Sequence, residues 1–159
     1  MARIASIKEG ADGIVTATTA DGSLFRFHAP DSAWAVQTLG LEHADDKLVP
    51  GMDIPEEALE LAVQVLQAEN HALNLLARAE QYSCGLHRKL TKAGWAAVAV
   101  TRCLGHLTER GLLSDERYAS SWIRQRVRRH AEGPRSLESA LLARGLGRDA
   151  LRAALAASL

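Results

Sequence analysis

At 159 residues the chain is long enough for one domain with a substantial core, or for a small module attached to a main one. Apolar residues make up 47% and charged residues 24%, a globular balance, and no apolar run approaches the roughly 18 residues of a membrane span; MARIASIKEG also lacks a signal peptide's hydrophobic stretch, so the expected location is cytoplasmic. The formal net charge of zero conceals a polarised chain: residues 1–70 hold four basic and twelve acidic side chains, and residues 71–159 hold fifteen basic and seven acidic ones. The second half therefore suits an anionic partner or an acidic protein face, beside the plainer reading that exposed helices are simply charged.

In chain order, the first elements are β-like. Ile14 to Thr19 is rich in β-branched residues, Ser23 to Phe27 alternates apolar with polar, and Ala20-Asp21-Gly22 separates them. Asp-Gly supplies the positive φ angles of a tight hairpin, so a hairpin or a three-stranded sheet is expected between Ile4 and His28. Residues 29–53 carry Pro30, Gly40, Pro50 and Gly51 around Asp45-Asp46, which predicts irregular structure and a linker.

From Pro55 the pattern turns helical. Asp53 can cap, Pro55 suits a first turn, and Glu56 and Glu57 favour the positive end of the helix dipole. Leu59, Ala62, Val63 and Leu66 make one stripe, continued less regularly by Leu73, Leu76 and Ala77, as one long helix or as two broken near Asn70. Ser83 is then placed to cap a helix ended by Gly94, a further helix spans about 96–110, and Ser114 caps its successor. Gly133-Pro134 interrupts, and two short helices follow around Gly145.

A degenerate repeat underlies this half. Leu86, Leu90, Gly94, Val100 and Leu104 align without a gap on Leu137, Leu141, Gly145, Leu151 and Leu155, fifty-one residues on. The expected fold is mainly α, tandem three-helix repeats at about 71–110 and 114–158, behind a small β-rich N-terminal module. The expected boundary puts that module and its linker at 1–52 and the helical domain at 53–159, because Pro50-Gly51 and the charge reversal fall there.

Chemistry is sparse. Cys84-x-x-His87 and Cys103-x-x-His106 have a spacing that invites zinc, but both pairs fall inside predicted helices, so reduced thiols and no metal are expected. No Gly-rich phosphate loop, no nucleophile motif and no carboxylate pair in a pocket-like context stands out, and neither an enzyme nor a cofactor is expected. The arginines are more informative. Arg117, Arg124 and Arg128 lie within about 60° on a helical wheel, opposite Tyr118, Ala119, Trp122 and Ile123. Arg129, Arg135, Arg144 and Arg148 extend the charge, while Arg126 projects toward the aromatic face and is expected to stack near Trp122. Trp95 and Trp122 read as core anchors. Guanidinium forks match phosphates and carboxylates, so the strip suits nucleic acid or an acidic protein surface.

Two segments carry a resemblance. Leu75-Leu76-Ala77-Arg78 with Ser83, Leu86, Lys89-Leu90 and Gly94 is the first. Gly111-Leu112-Leu113-Ser114-Asp115 with Tyr118-Ala119, Trp122, Arg126, Gly133-Pro134, Leu141 and Gly145 is the second. Together, over about residues 71–157, they resemble the RecX family of bacterial modulators of the RecA recombinase. The resemblance implies three-helix units lying in the groove of a RecA filament on single-stranded DNA. It also implies restraint of filament growth, strand exchange, ATP hydrolysis or coprotease activity, and hence a part in homologous recombination, DNA repair and the SOS response. The implied partners are the RecA filament and single-stranded DNA, met directly or through RecA, with the protein acting as a monomer and no membrane involved. The contact residues are then Arg117, Arg124, Arg128, Arg129, Arg135, Arg144 and Arg148 in the second repeat, and Arg78, Arg88 and Lys89 in the first. Many family members have three repeats where this sequence shows two, so a shorter reach along a filament is expected. Ser114 stands where the family often has an acidic residue, and serine caps a helix as well. Pairs of short helices with a basic exposed helix also fit a helix-turn-helix-like DNA-binding regulator, and a helical adaptor without a nucleic-acid partner is the third reading.

Overall fold

The hairpin expected around Asp21-Gly22 forms in the computed structural model, which describes residues 1–41 and 47–158. Strands β1 (Ala2–Glu9), β2 (Ile14–Thr19) and β3 (Leu24–His28) make an antiparallel meander. In the β2–β3 turn Gly22 has φ 88°, and the Asp21 carboxylate accepts the Ser23 amide at 3.1 Å and the Thr19 hydroxyl. The Thr19 hydroxyl, seconded by the Ser23 amide, holds the Asp21 carboxyl below the usual carboxylate range. Alternation does the rest: Val15, Ala17 and Thr19 are buried while Ile14, Thr16 and Thr18 are only partly covered, the period of two that a half-buried strand requires.

A fourth strand, β4 (Asp53–Ile54), pairs with β1 through Ala2↔Ile54 and Arg3↔Asp53 and gives the order β3-β2-β1-β4. Asp53 is thus a strand residue, bonded by Arg3 Nε at 3.2 Å, rather than a helix cap. The stretch expected to be irregular holds helix α1 (Asp31–Thr38). Its Asp31 is fully buried and accepts a hydrogen bond from Arg102 Nε at 3.1 Å, while the Arg102 guanidinium lies 5.2 Å from the Trp34 ring centroid. A helix whose first residue is held by an arginine so distant in sequence leaves no local pattern. Asp45-Asp46 of the expected linker lie outside the described residues.

Helix α2 (Glu56–Arg78) runs unbroken through Asn70. It is followed by α3 (Ser83–Lys92), α4 (Ala97–Glu109), α5 (Asp115–Arg129), α6 (Pro134–Ala143) and α7 (Arg148–Ser158). Ser114 caps α5 as expected, its hydroxyl accepting the Arg117 amide at 3.1 Å, and Gly133-Pro134 opens α6 with proline in the first turn. Ser83 behaves otherwise. It is the first helical residue of α3, and its amide donates to Asp115 Oδ1 at 2.6 Å, so this N-terminus is capped by a carboxylate from α5.

The repeat is kept in the backbone. Helices α3 and α6 begin and end 51 residues apart, α2 and α5 end at Arg78 and Arg129, and α4 and α7 begin at Ala97 and Arg148, the same offset. Gly94 and Gly145 both take positive φ, 110° and 90°, in the turns after α3 and α6. The architecture is therefore mainly α, tandem three-helix repeats behind a small antiparallel β module, with α2 contributing its second half to the first repeat.

The chain forms two compact units, Met1–Asn70 with Trp95–Cys103, and His71–Gly94 with Leu104–Leu159. This division differs from the boundary expected at 52/53: residues 53–70 cluster with the strands, and Ile54, Ala58, Leu59, Ala62 and Val65 are fully buried. The first unit carries five basic and twelve acidic residues, the second fourteen and seven.

Candidate nucleic-acid interface

The arginine-rich face rests on a small apolar core within the second unit. Ala119 and Ile123 of α5 are buried with Leu137, Leu141, Leu146, Leu151 and Ala154, and Tyr82, Tyr118, Trp122 and Leu155 pack against them half-covered. Residues three and four apart on α5 share a face, so Ala119 and Ile123 both turn to that core while Arg124 and Arg128 both face solvent. The buried side fixes the helix, and its opposite side carries Arg124, Arg128 and Arg129 exposed. Among the described residues these three guanidinium groups have no ion-pair partner and are available to a phosphate or carboxylate.

Arg117 shares their stripe but is committed. Its guanidinium donates to the backbone oxygens of Gly111 and Leu112, both at 3.0 Å, and pairs with Glu80. It ties the turn after α4 to the end of α2. Arg144 is also engaged: Nη1 donates to the Tyr118 hydroxyl at 2.5 Å, and its guanidinium lies 5.3 Å from the Trp122 ring centroid. Arg126 lies 5.5 Å from the same ring, as its wheel position suggested, and Nε donates to Glu132 Oε1 at 2.5 Å. That hydrogen bond is the main cause of the lowered pKa of the Glu132 carboxyl. Trp122 thus anchors the core from one side and presents a cation-covered ring on the other.

The remaining candidates are dispersed over the unit. Arg135 and Arg148 are exposed at the starts of α6 and α7. Arg78 is exposed at the end of α2, beside a groove of about 440 Å³ lined also by Leu73, Leu76, Leu112 and the Arg117–Glu80 pair. Lys89 on α3 donates to Gln81 Oε1 at 2.9 Å, and Arg88 Nη2 lies 3.9 Å from Cys84 Sγ. Free charge therefore concentrates at the C-terminal end of α5.

That end also holds a small pocket of about 130 Å³, lined by Trp122, Gln125, Arg126, Arg129 and His130. Of its lining, the sequence singles out Trp122, Arg126 and Arg129 but neither Gln125 nor His130, and nothing local links Arg144 to Tyr118 twenty-six residues away. The two cysteines differ: Cys84 is exposed on α3, whereas Cys103 is buried on α4. Burial, reinforced by the carboxylates of Glu69 and Asp31, pushes the Cys103 thiol up to about 12.

Known proteins match this arrangement. A family model described as the RecX second three-helix domain matches residues 114–155, from the Ser114 cap through most of α7. The chain is 34% identical over 106 residues to a protein of Mycolicibacterium smegmatis named regulatory protein RecX, across 65% of this chain and 56% of that one. It is 39% identical over 84 residues to a protein of the same name from Pseudomonas fluorescens SBW25, across 53% of this chain and 54% of the relative. A crystal structure of a regulatory protein RecX superposes with a TM-score of 0.64 at 19% identity, over 98% of this chain and 73% of that one, which is a likeness of fold. The chain spans a little over half the length of the curated relatives it matches.

Proposed function

The chain belongs to the RecX family, and on that footing we propose that it is a non-enzymatic cytoplasmic regulator that binds the RecA filament on single-stranded DNA and restrains its recombinase, ATPase and coprotease activities. The observation that carries this reading is the unspent cationic face of Arg124, Arg128 and Arg129 on the helix that the family model covers. Three exposed guanidinium groups on a rigid, core-anchored helix suit a polyanion: their charge is not consumed internally, and their spacing follows the helix rather than a mobile loop. Contacts that span a filament would bias its conformational population without any chemistry by the regulator itself.

A direct test is retention on immobilised RecA-coated single strands, bare single strands and bare duplex, with RecA's DNA-dependent ATPase measured in parallel. Retention on the coated strands with lowered hydrolysis at substoichiometric protein is the expected result. Retention on bare duplex alone would instead make the chain a helix-turn-helix-like DNA-binding regulator. Retention on none, with unchanged hydrolysis and filament length, would overturn both readings.

A further inference from the structure

We infer that the pocket at the C-terminal end of α5 is a subsite for one nucleotide of single-stranded nucleic acid, in which a base lies against the Trp122–Arg126 layer while Arg129 binds the neighbouring phosphate. The inference deepens the proposed function and rests on its reading that this face meets single-stranded DNA. Four observations converge on it.

The pocket is small, about 130 Å³, and walled by a flat element, the Arg126 guanidinium 5.5 Å from the Trp122 ring centroid. Arg126 is held there by Glu132 at 2.5 Å, so its charge is offset and what it offers a ligand is its plane. Bases stack on guanidinium planes as they do on aromatic rings. The Trp122 side is stiffened as well, because Arg144 lies 5.3 Å from its centroid and is itself bonded to Tyr118.

Arg129 and Gln125 complete the chemistry. Neither side chain has a hydrogen-bond or ion-pair partner among the described residues, and both line the pocket. Arg129 is a bidentate phosphate donor, and Gln125 offers both an amide donor and a carbonyl acceptor to a base edge. A helix C-terminus by itself repels anions, since its carbonyls carry partial negative charge. Here Arg128 and Arg129, exposed and without an ion-pair partner among the described residues, sit in the last turn and outweigh it. Simple neutralisation of the helix dipole would require the cations but not an aromatic wall or an unspent amide beside them. Nucleic acid is favoured over an acidic polypeptide for that reason.

Fluorescence anisotropy of the full chain tests this with labelled oligothymidylate and an abasic oligomer of equal length. The intact protein should prefer oligothymidylate by roughly tenfold, the discrimination one stacked base supplies. Trp122→Leu should erase that preference, and Arg126→Met, which keeps the stem and removes the plane, should do the same at a site exposed enough to leave the fold intact. Arg129→Ala should weaken both ligands alike and reduce the salt slope by about one. Equal affinity of the intact protein for the two oligomers, or a preference surviving both Trp122→Leu and Arg126→Met, overturns the subsite. Displacement of oligothymidylate by polyglutamate as readily as by unlabelled oligothymidylate overturns it too, and assigns the face to an acidic protein surface. RecA hydrolysis followed with the same variants separates the two ideas: a regulator that still restrains RecA without base discrimination loses only the subsite.

Discussion

Arg117 and Arg124 stand about two turns apart on one face of α5, yet their surroundings give them different jobs. Arg124, Arg128 and Arg129 are exposed and unpaired among the described residues. Replacing all three by alanine is expected to weaken filament binding and flatten its dependence on salt, with a melting temperature that barely moves. Arg117→Ala should do the reverse. It removes the donors to Gly111 and Leu112 and the Glu80 pair; because the side chain is 45% exposed, the loss is about 1 kcal/mol in a denaturant titration. The thiols divide in the same way. Cys84 should react with an aromatic disulfide in the native protein and Cys103 only on unfolding. Since the folded Cys103 pKa is raised to about 12, its neutral form favours the fold fully below the unfolded thiol pKa of roughly 8.5. That contribution should fall as pH climbs from about 8.5 toward 12, and Cys103→Ala should remove this part of the alkaline stability loss.

At the scale of elements, the two repeats allow an internal comparison. Gly94 and Gly145 occupy equivalent turns at positive φ, so alanine at either is strained by about 1–2 kcal/mol. A Cβ on Gly94 would meet nothing within 4 Å, but one on Gly145 would come within 3.0 Å of Cys84 Sγ. Gly145→Ala should therefore be the more destabilising of the two in parallel thermal melts, and Cys84→Ala should recover part of the difference. These turns were legible in the sequence because a glycine after an apolar stripe has a local cause. So were the Ser114 cap, Gly133-Pro134, the 51-residue offset and the Arg126–Trp122 stack. Helix α1 was not legible, since Asp31 is fixed by Arg102 from α4. The cap of α3 was misread for the same kind of reason: a serine at the right place predicts a local cap, whereas the carboxylate used belongs to Asp115. In the candidate site, periodicity identified which face of α5 is basic but not which arginines are spent. That depends on Glu80, Tyr118 and Glu132 and on two backbone carbonyls after α4.

At the scale of the whole molecule, the acidic and basic halves of the sequence survive as compact units of opposite sign, five basic and twelve acidic residues against fourteen and seven. Such polarity speaks to steering and to solubility rather than to fold. The positive unit is the one that carries every candidate contact, from Arg78 to Arg148.

The division between those units cuts through α2 after Asn70 and through α4 after Cys103, so two continuous helices belong to both. A helix propagates cheaply but nucleates at high cost, and severing it midway would add frayed ends on each side. Heat should therefore find no intermediate to populate. Differential scanning calorimetry is expected to give one endotherm whose calorimetric and van't Hoff enthalpies agree, and a substitution such as Asp31→Ala in the acidic unit should lower the temperature at which the α5 face melts.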